Sequence, residues 1–158
     1  MKLSVKTIFS DPIHFLAFGF GSGLSPKAPG TVGTLVAMAF MPLLSQLSTA
    51  QQIILVVVTF AAGVWICGRS SERLGIHDHG GIVWDEFVGY WIAAVFLPPE
   101  PMWWFAAFVA FRVFDIAKPW PISLADSKLG GGFGIMIDDV LAGLMSFISL
   151  YCILYFVG

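Results

Sequence analysis

Ile82-Val83-Trp84-Asp85-Glu86-Phe87-Val88-Gly89 opens an apolar run that continues through Tyr90, Trp91, Ile92 and Phe96 to Leu97. Two adjacent carboxylates stand inside it. A charge in a bilayer core costs roughly 2.5–3.5 kcal/mol on insertion scales, so ionisable residues there face a protein interior or a watery cavity. The run therefore reads as a membrane-spanning helix, with Asp85 and Glu86 as candidate functional groups.

The rest of the chain agrees with a membrane setting. Of its 158 residues, 58% are hydrophobic and only 11% charged, too few charges to solvate a soluble globule of this size. The eight Lys and Arg are scattered without a basic stripe, which argues against nucleic acid as a partner. Cys67 and Cys152 lie far apart in apolar runs and read as packed free thiols. Between Met1 and Leu24, Asp11, Pro12 and His14 interrupt any signal-like core, so this stretch is expected to stay on the mature chain. Ile13, Phe15, Leu16, Phe18 and Phe20 predict a short interfacial segment lying on the bilayer, with His14 at the interface.

About 20 apolar residues make a spanning helix. The uncharged stretch from Ala28 to Gly68 holds two spans, near Thr31 to Leu44 and Ile53 to Cys67, divided by the polar break Ser45 to Gln52. A third runs from Ile82 to Leu97, a fourth from Met102 to about Ala117 and a fifth from Gly134 to Val157. The expected architecture is all-α: one polytopic membrane helix bundle over residues 1–158, with about five transmembrane helices plus the N-terminal interfacial segment. Trp84, Trp103, Trp104 and Trp120 read as interfacial belt residues.

Basic residues mark the cytoplasmic side. Lys2, Lys6 and Lys27 precede the first span, Arg69 and Arg73 follow the second, and Lys118 and Lys128 follow the fourth, while the other span ends carry none. An N-terminus in the cytoplasm puts every basic loop on one side. Asp85, Glu86, Arg112, Asp115, Asp138 and Asp139 then come to that same edge, each some 5–10 Å inside its helix end at about 1.5 Å per residue. Five carboxylates at one depth need a compensating cation. Oxygen ligands without Cys, and with no His inside the spans, suit a hard ion, Mg²⁺ before Zn²⁺.

The loops on this side have the makings of an anion site. Gly19 to Thr34 is dense in Gly and hydroxyls, with Lys27 just before a helix start where free N–H groups attract phosphate. Arg112, Lys118 and the turn Gly130 to Gly134 would close the same pocket. Blander readings exist for each part: Arg112 and Asp115 could neutralise each other at i,i+3, and Asp138 and Asp139 could cap a helix. Capping does not explain acids entering three spans at one level. His77-Asp78-His79 resembles a metal cluster, but its short polar loop reads as solvated.

GSGLSPKAPGTVGT (Gly21 to Thr34), IVWDEFVG (Ile82 to Gly89), FRVFDIAKPWPI (Phe111 to Ile122) and GGFGIMIDDVLAG (Gly131 to Gly143) together resemble the phosphatidylglycerophosphatase A family. The resemblance extends from about Asp11 to the fifth span. It implies a multi-pass enzyme of the bacterial inner membrane that removes the terminal phosphate of phosphatidylglycerophosphate, giving phosphatidylglycerol and inorganic phosphate with Mg²⁺. On that reading Asp85, Glu86, Asp138 and Asp139 would hold one or two Mg²⁺, and Asp115 would complete the shell or orient Arg112. Lys27, Arg112 and Lys118 would neutralise phosphate oxygens, with hydrogen bonds from Ser25 or Thr31, at an active site facing the cytoplasm. Water and an aspartate both stand as nucleophiles. No obligatory protein partner is implied. The alternative, a cation- or proton-coupled carrier, would need ionisable groups across the membrane, and the outer halves of the spans lack them.

Overall fold

The computed structural model describes residues 4–157, and every regular element in that range is helical. Lys2, counted above with the basic residues before the first span, lies outside the described residues. Ser4 starts α1 (Val5–Ser10), its Oγ accepting from the Thr7 N–H at 3.2 Å. Asp11 caps α2 (Pro12–Ala17) by accepting from the Ile13 N–H at 2.9 Å, with Pro12 at the first helical position. A 3-10 segment, Gly19–Leu24, leads into α3 (Pro29–Ala39) and α4 (Met41–Leu44). The remaining helices are α5 (Thr49–Leu74), α6 (Trp84–Ala94), α7 (Pro101–Ala117), α8 (Ile122–Lys128) and α9 (Gly131–Val157).

The helix opened by Trp84 is the centre of the bundle. α6 is apolar nearly all round, and such a helix is stable only when surrounded. α3, α5, α7 and α9 pack against it, and every residue from Trp84 to Ala94 except Glu86 is buried. α9 runs parallel to α6: a Cβ on Gly89 would lie 2.6 Å from the Asp139 carbonyl oxygen, and one on Gly143 would strike the Gly89 carbonyl. α5 runs antiparallel, bringing Gly63 to Met136 and Gly68 to Gly132. α7 is antiparallel as well, with Tyr90 Oη donating to the Trp104 carbonyl at 2.9 Å while Arg112 reaches Glu86. α3 follows α6, from Gly33 beside Val83 to the Ala37 carbonyl, which accepts from Trp91 Nε1 at 3.1 Å.

Helix ends differ from the sequence expectation where caps decide them. The polar break Ser45 to Gln52 already starts α5, through a capping box in which the Ser48 N–H donates to Gln51 Oε1 at 2.9 Å. α5 then passes Cys67 and stops at Gly75, whose φ of 66° ends the helix. The first expected span is broken at Phe40, two residues before Pro42.

Two helices, α5 with 26 residues and α9 with 27, are long and apolar enough to cross a membrane. α3 with α4, α6 and α7 are shorter, so five full-length spans are not what the helix lengths display. α6 has a physical reason to be short: enclosed by protein, its length is not set by lipid. Outside, α7 exposes Met102, Phe105, Val109, Val113 and Ile116 at intervals of three or four residues, and α5 exposes Ile53, Ile54, Val57, Val58 and Trp65. Apolar surface on this scale belongs against lipid. The chain associates with a membrane.

Three minor expectations change. His14 is buried rather than interfacial, and its Nδ1 lies 2.8 Å from Ser70 Oγ, which ties α2 to α5. Trp84 is an interior side chain donating Nε1–H to the Thr59 carbonyl at 3.1 Å, not a belt residue. Cys67 is packed as expected, whereas Cys152 is exposed on α9.

Candidate active site

Asp85 sits in the first turn of α6, and Asp139 is the ninth residue of α9. The close approach at Gly89 and Gly143, each one helical turn further on, sets these two carboxylates side by side. Glu86, next on α6, completes a triad: Asp85, Glu86 and Asp139 each offer an oxygen within 4.8 Å of the others. Asp85 and Asp139 are 7% and 3% exposed, and Glu86 is largely covered.

Each member keeps an unpartnered oxygen. Asp85 Oδ1, Glu86 Oε2 and Asp139 Oδ2 are buried without a hydrogen bond, and so is Arg112 Nε. Buried polar atoms are almost always satisfied, so four such atoms in one cluster suit a bound ligand. The donor set fits Mg²⁺: it is all carboxylate, and oxygens 2.0–2.1 Å from one ion stand at most about 4.2 Å apart, a small adjustment from the separations found.

Arg112, in the penultimate turn of α7, is the cation nearest this cluster. Its Nη1 bonds Asp115 Oδ2 and lies 3.8 Å from Glu86 Oε1. A Cβ placed on Gly30 would meet Glu86 Oε1 and come within 3.1 and 3.2 Å of the two Arg112 Nη atoms. The first turn of α3 thus presses its backbone onto the Glu86–Arg112 pair, a place only glycine allows. Thr31 is half-buried in the same turn.

Asp138, expected among the metal ligands, stands beside the triad. Its Oδ2 accepts from Lys118 Nζ at 2.9 Å and its Oδ1 from the Asp139 N–H at 3.1 Å. Both of its oxygens thus have partners, whereas Asp85, Glu86 and Asp139 each keep one without. Lys118, just past the end of α7, also donates to Asp126 Oδ1 of α8 at 2.6 Å. Burial disfavours its charge, but Asp126 and Asp138 outweigh that and hold its pKa above the ordinary lysine range. Asp126 was not singled out in the sequence, since an acid between short polar loops reads as solvated.

Lys27 is exposed, and Ser25 donates its hydroxyl to the Lys27 carbonyl at 2.8 Å, shaping the turn before α3. His77 accepts from the Gly131 N–H at 3.2 Å at the start of α9. His79 accepts from the Gly81 N–H at 3.0 Å, a turn contact within its own loop.

A relative from Escherichia coli named phosphatidylglycerophosphatase A is 48% identical over 94% of this chain and 85% of its own. One of the same name from Haemophilus influenzae is 47% identical over 95% of this chain and 93% of its own. A Bacteroides thetaiotaomicron relative, 39% identical over 89% of this chain and 92% of its own, is provisionally named a phosphatidylinositol-3-phosphatase. No solved structure matches the chain at a significant level. The family model described as Phosphatidylglycerophosphatase A matches residues 15–154, nearly the whole chain and every carboxylate of the site, and the chain belongs to that family.

Proposed function

We propose that the chain hydrolyses the terminal phosphate of phosphatidylglycerophosphate to phosphatidylglycerol and inorganic phosphate, at the cytoplasmic face and with Mg²⁺. The observation that carries this reading is the buried triad Asp85–Glu86–Asp139, its orphaned oxygens set beside Arg112. Those three carboxylates would hold the ion, which when bound supplies positive charge and Lewis acidity at the phosphate. Arg112 faces the phosphate oxygens, and Asp115 fixes its guanidinium by a direct ion pair. The first turn of α3, with Gly30 against Arg112, offers backbone N–H groups to the same anion. Asp138 and Asp126 hold Lys118 charged at the rim.

Water is the nucleophile in this reading. A triad carboxylate takes its proton, the new bond forms to phosphorus, and the bond to the glycerol oxygen breaks. That oxygen leaves with a proton, so the products are a lipid alcohol and phosphate. The helix directions support five crossings: α3 with α4, α6 and α9 run one way, and α5 and α7 the other, as alternating spans require. Arg69 and Arg73 close α5 near the end of the bundle where the triad lies, which favours the cytoplasmic side.

The test is phosphate release from phosphatidylglycerophosphate by purified protein in detergent, with Mg²⁺ or with chelator, beside Asp85→Asn. Release that needs both the metal and Asp85 supports the reading. Equal release by Asp85→Asn, or in chelator, would overturn the metal-site assignment.

A further inference from the structure

The phosphatase reading places a head group at Arg112 but leaves open where the lipid's chains lie. Two apolar depressions share one face of α7. The first, of about 390 Å³, is walled by Phe108, Val109, Arg112, Val113, Ile116 and Ala117. The second, of about 260 Å³, lies between Pro101, Trp104 and Phe105 of α7 and Leu35, Met38, Ala39 and Pro42 of α3 and α4. Phe105 is one turn from Phe108 and Val109, so the two adjoin along the helix.

From these observations we infer that the α7 face from Arg112 to Pro101, with the C-terminal half of α3 as its second wall, is the seat of an acyl chain of the lipid substrate. Arg112 belongs to both places. Its guanidinium lies by Glu86 and the Gly30 backbone inside the site, and its stem lines the depression outside. An arginine so placed joins a polar pocket to an apolar surface, its stem against hydrocarbon and its charge against an anion. The eleven steps from Pro101 to Arg112 rise about 16 Å, a length close to half of the roughly 30 Å hydrocarbon core. Both walls are sparsely packed: Leu35 of α3 is 43% exposed and Phe105 of α7 59%.

Other seams fit less well. The depression by α8, lined by Pro121, Leu124, Ala125, Lys128, Leu129 and Leu141, includes neither Arg112 nor any member of the triad. The one on α5 carries Arg69 and Glu72 paired with each other and no member of the triad.

The inference rests on the phosphatase reading, and the experiment separates the two. Phosphate release is measured with dioleoyl and with dihexanoyl phosphatidylglycerophosphate, for wild type, Ala39→Trp, Leu35→Trp and, in the α8 seam, Leu124→Trp. All three positions are exposed, and thermal melts check that the variants fold. Ala39→Trp and Leu35→Trp are expected to raise KM for the dioleoyl lipid at least fivefold with kcat within twofold. They should leave the dihexanoyl KM unchanged, and Leu124→Trp should resemble wild type on both lipids. Unaltered dioleoyl KM in folded Ala39→Trp and Leu35→Trp overturns the inference, as does a chain-selective rise confined to Leu124→Trp. Absence of release by wild type from either lipid strikes the phosphatase reading itself, and the acyl-chain seat with it.

Discussion

The carbonyl oxygen of Gly89 fills the space that a Cβ on Gly143 would need. This contact holds α6 and α9 at backbone distance, one turn beyond Asp85 and Asp139. Gly143→Ala must force the helices apart, and overpacking of this kind costs about 1–3 kcal/mol. The carboxylates would separate with them. The expected outcome is a lowered melting temperature together with a loss of phosphate release, measured on the same detergent preparation; wild-type values for both would show that the contact does not set the site.

Asp138 and Asp139 are neighbours with different surroundings, so their asparagine variants should differ. Asp139→Asn removes a triad oxygen and should lower kcat by about a hundredfold or more, the scale of losing one preorganised charge-stabilising group. It should also weaken Mg²⁺ binding in calorimetry. Asp138→Asn removes one of the two carboxylates that hold Lys118 and should cost roughly 10- to 100-fold, as supporting groups around metal sites do, with Mg²⁺ affinity little changed. Equal loss of Mg²⁺ affinity in both variants would return Asp138 to the ligand set.

Glu86 and Arg112 both lie close against Gly30. Gly30→Ala puts a methyl group against both side chains. Its expected effect is a raised KM and lower kcat, with thermal stability reduced by about 1–3 kcal/mol. Unchanged kinetics in a folded variant would mean that the first turn of α3 lies clear of the substrate.

At the N-terminal end, His14 is buried against Ser70. His14→Ala leaves the Ser70 hydroxyl without a partner and should destabilise by about 1–3 kcal/mol. Because neither residue touches the triad, kcat at low temperature should stay near wild type while thermal inactivation speeds up.

The Asp11–Arg73 ion pair predicts a small acid sensitivity. Burial would raise the Asp11 pKa, but the Ile13 N–H and the Arg73 guanidinium outweigh it and hold the carboxyl below its ordinary 3.8. The unfolded chain then binds the proton first as pH falls. The stabilisation is therefore present above 3.8 and lost as pH drops through the lower folded value. Arg73→Ala should flatten the acid side of a stability profile slightly, and added salt should shrink the difference, since the pair is largely exposed. A steeper acid limb in Arg73→Ala would reverse the assignment.

The carboxylates were legible from the sequence because acids in apolar runs are conspicuous. Asp85, Glu86 and Asp139 come together as their common depth implied. Which way Asp138 turns was not legible, since that depends on where α6 and α7 stand around α9. His14 and Ser70 are 56 residues apart, and nothing local in either signals the other. The enclosure of α6 was hidden for another reason: a helix facing lipid and a helix facing protein are both written as uninterrupted apolar runs. Asp85 and Glu86, the two acids of its first turn, distinguish the polar end of α6 from its interior.

That enclosure bears on how the protein tolerates its host bilayer. A helix that meets lipid must match the hydrophobic thickness around it, by tilting, kinking or deforming the membrane, and that thickness varies by several ångströms between membranes. α6 has no such boundary to match. Adjustment falls to α5, α7 and the far half of α9, while Asp85 and Glu86 ride on a helix insulated from it and Asp139 is pinned to that helix at Gly143. Changes in bilayer thickness can therefore rock the outer wall without changing the spacing of the reacting groups.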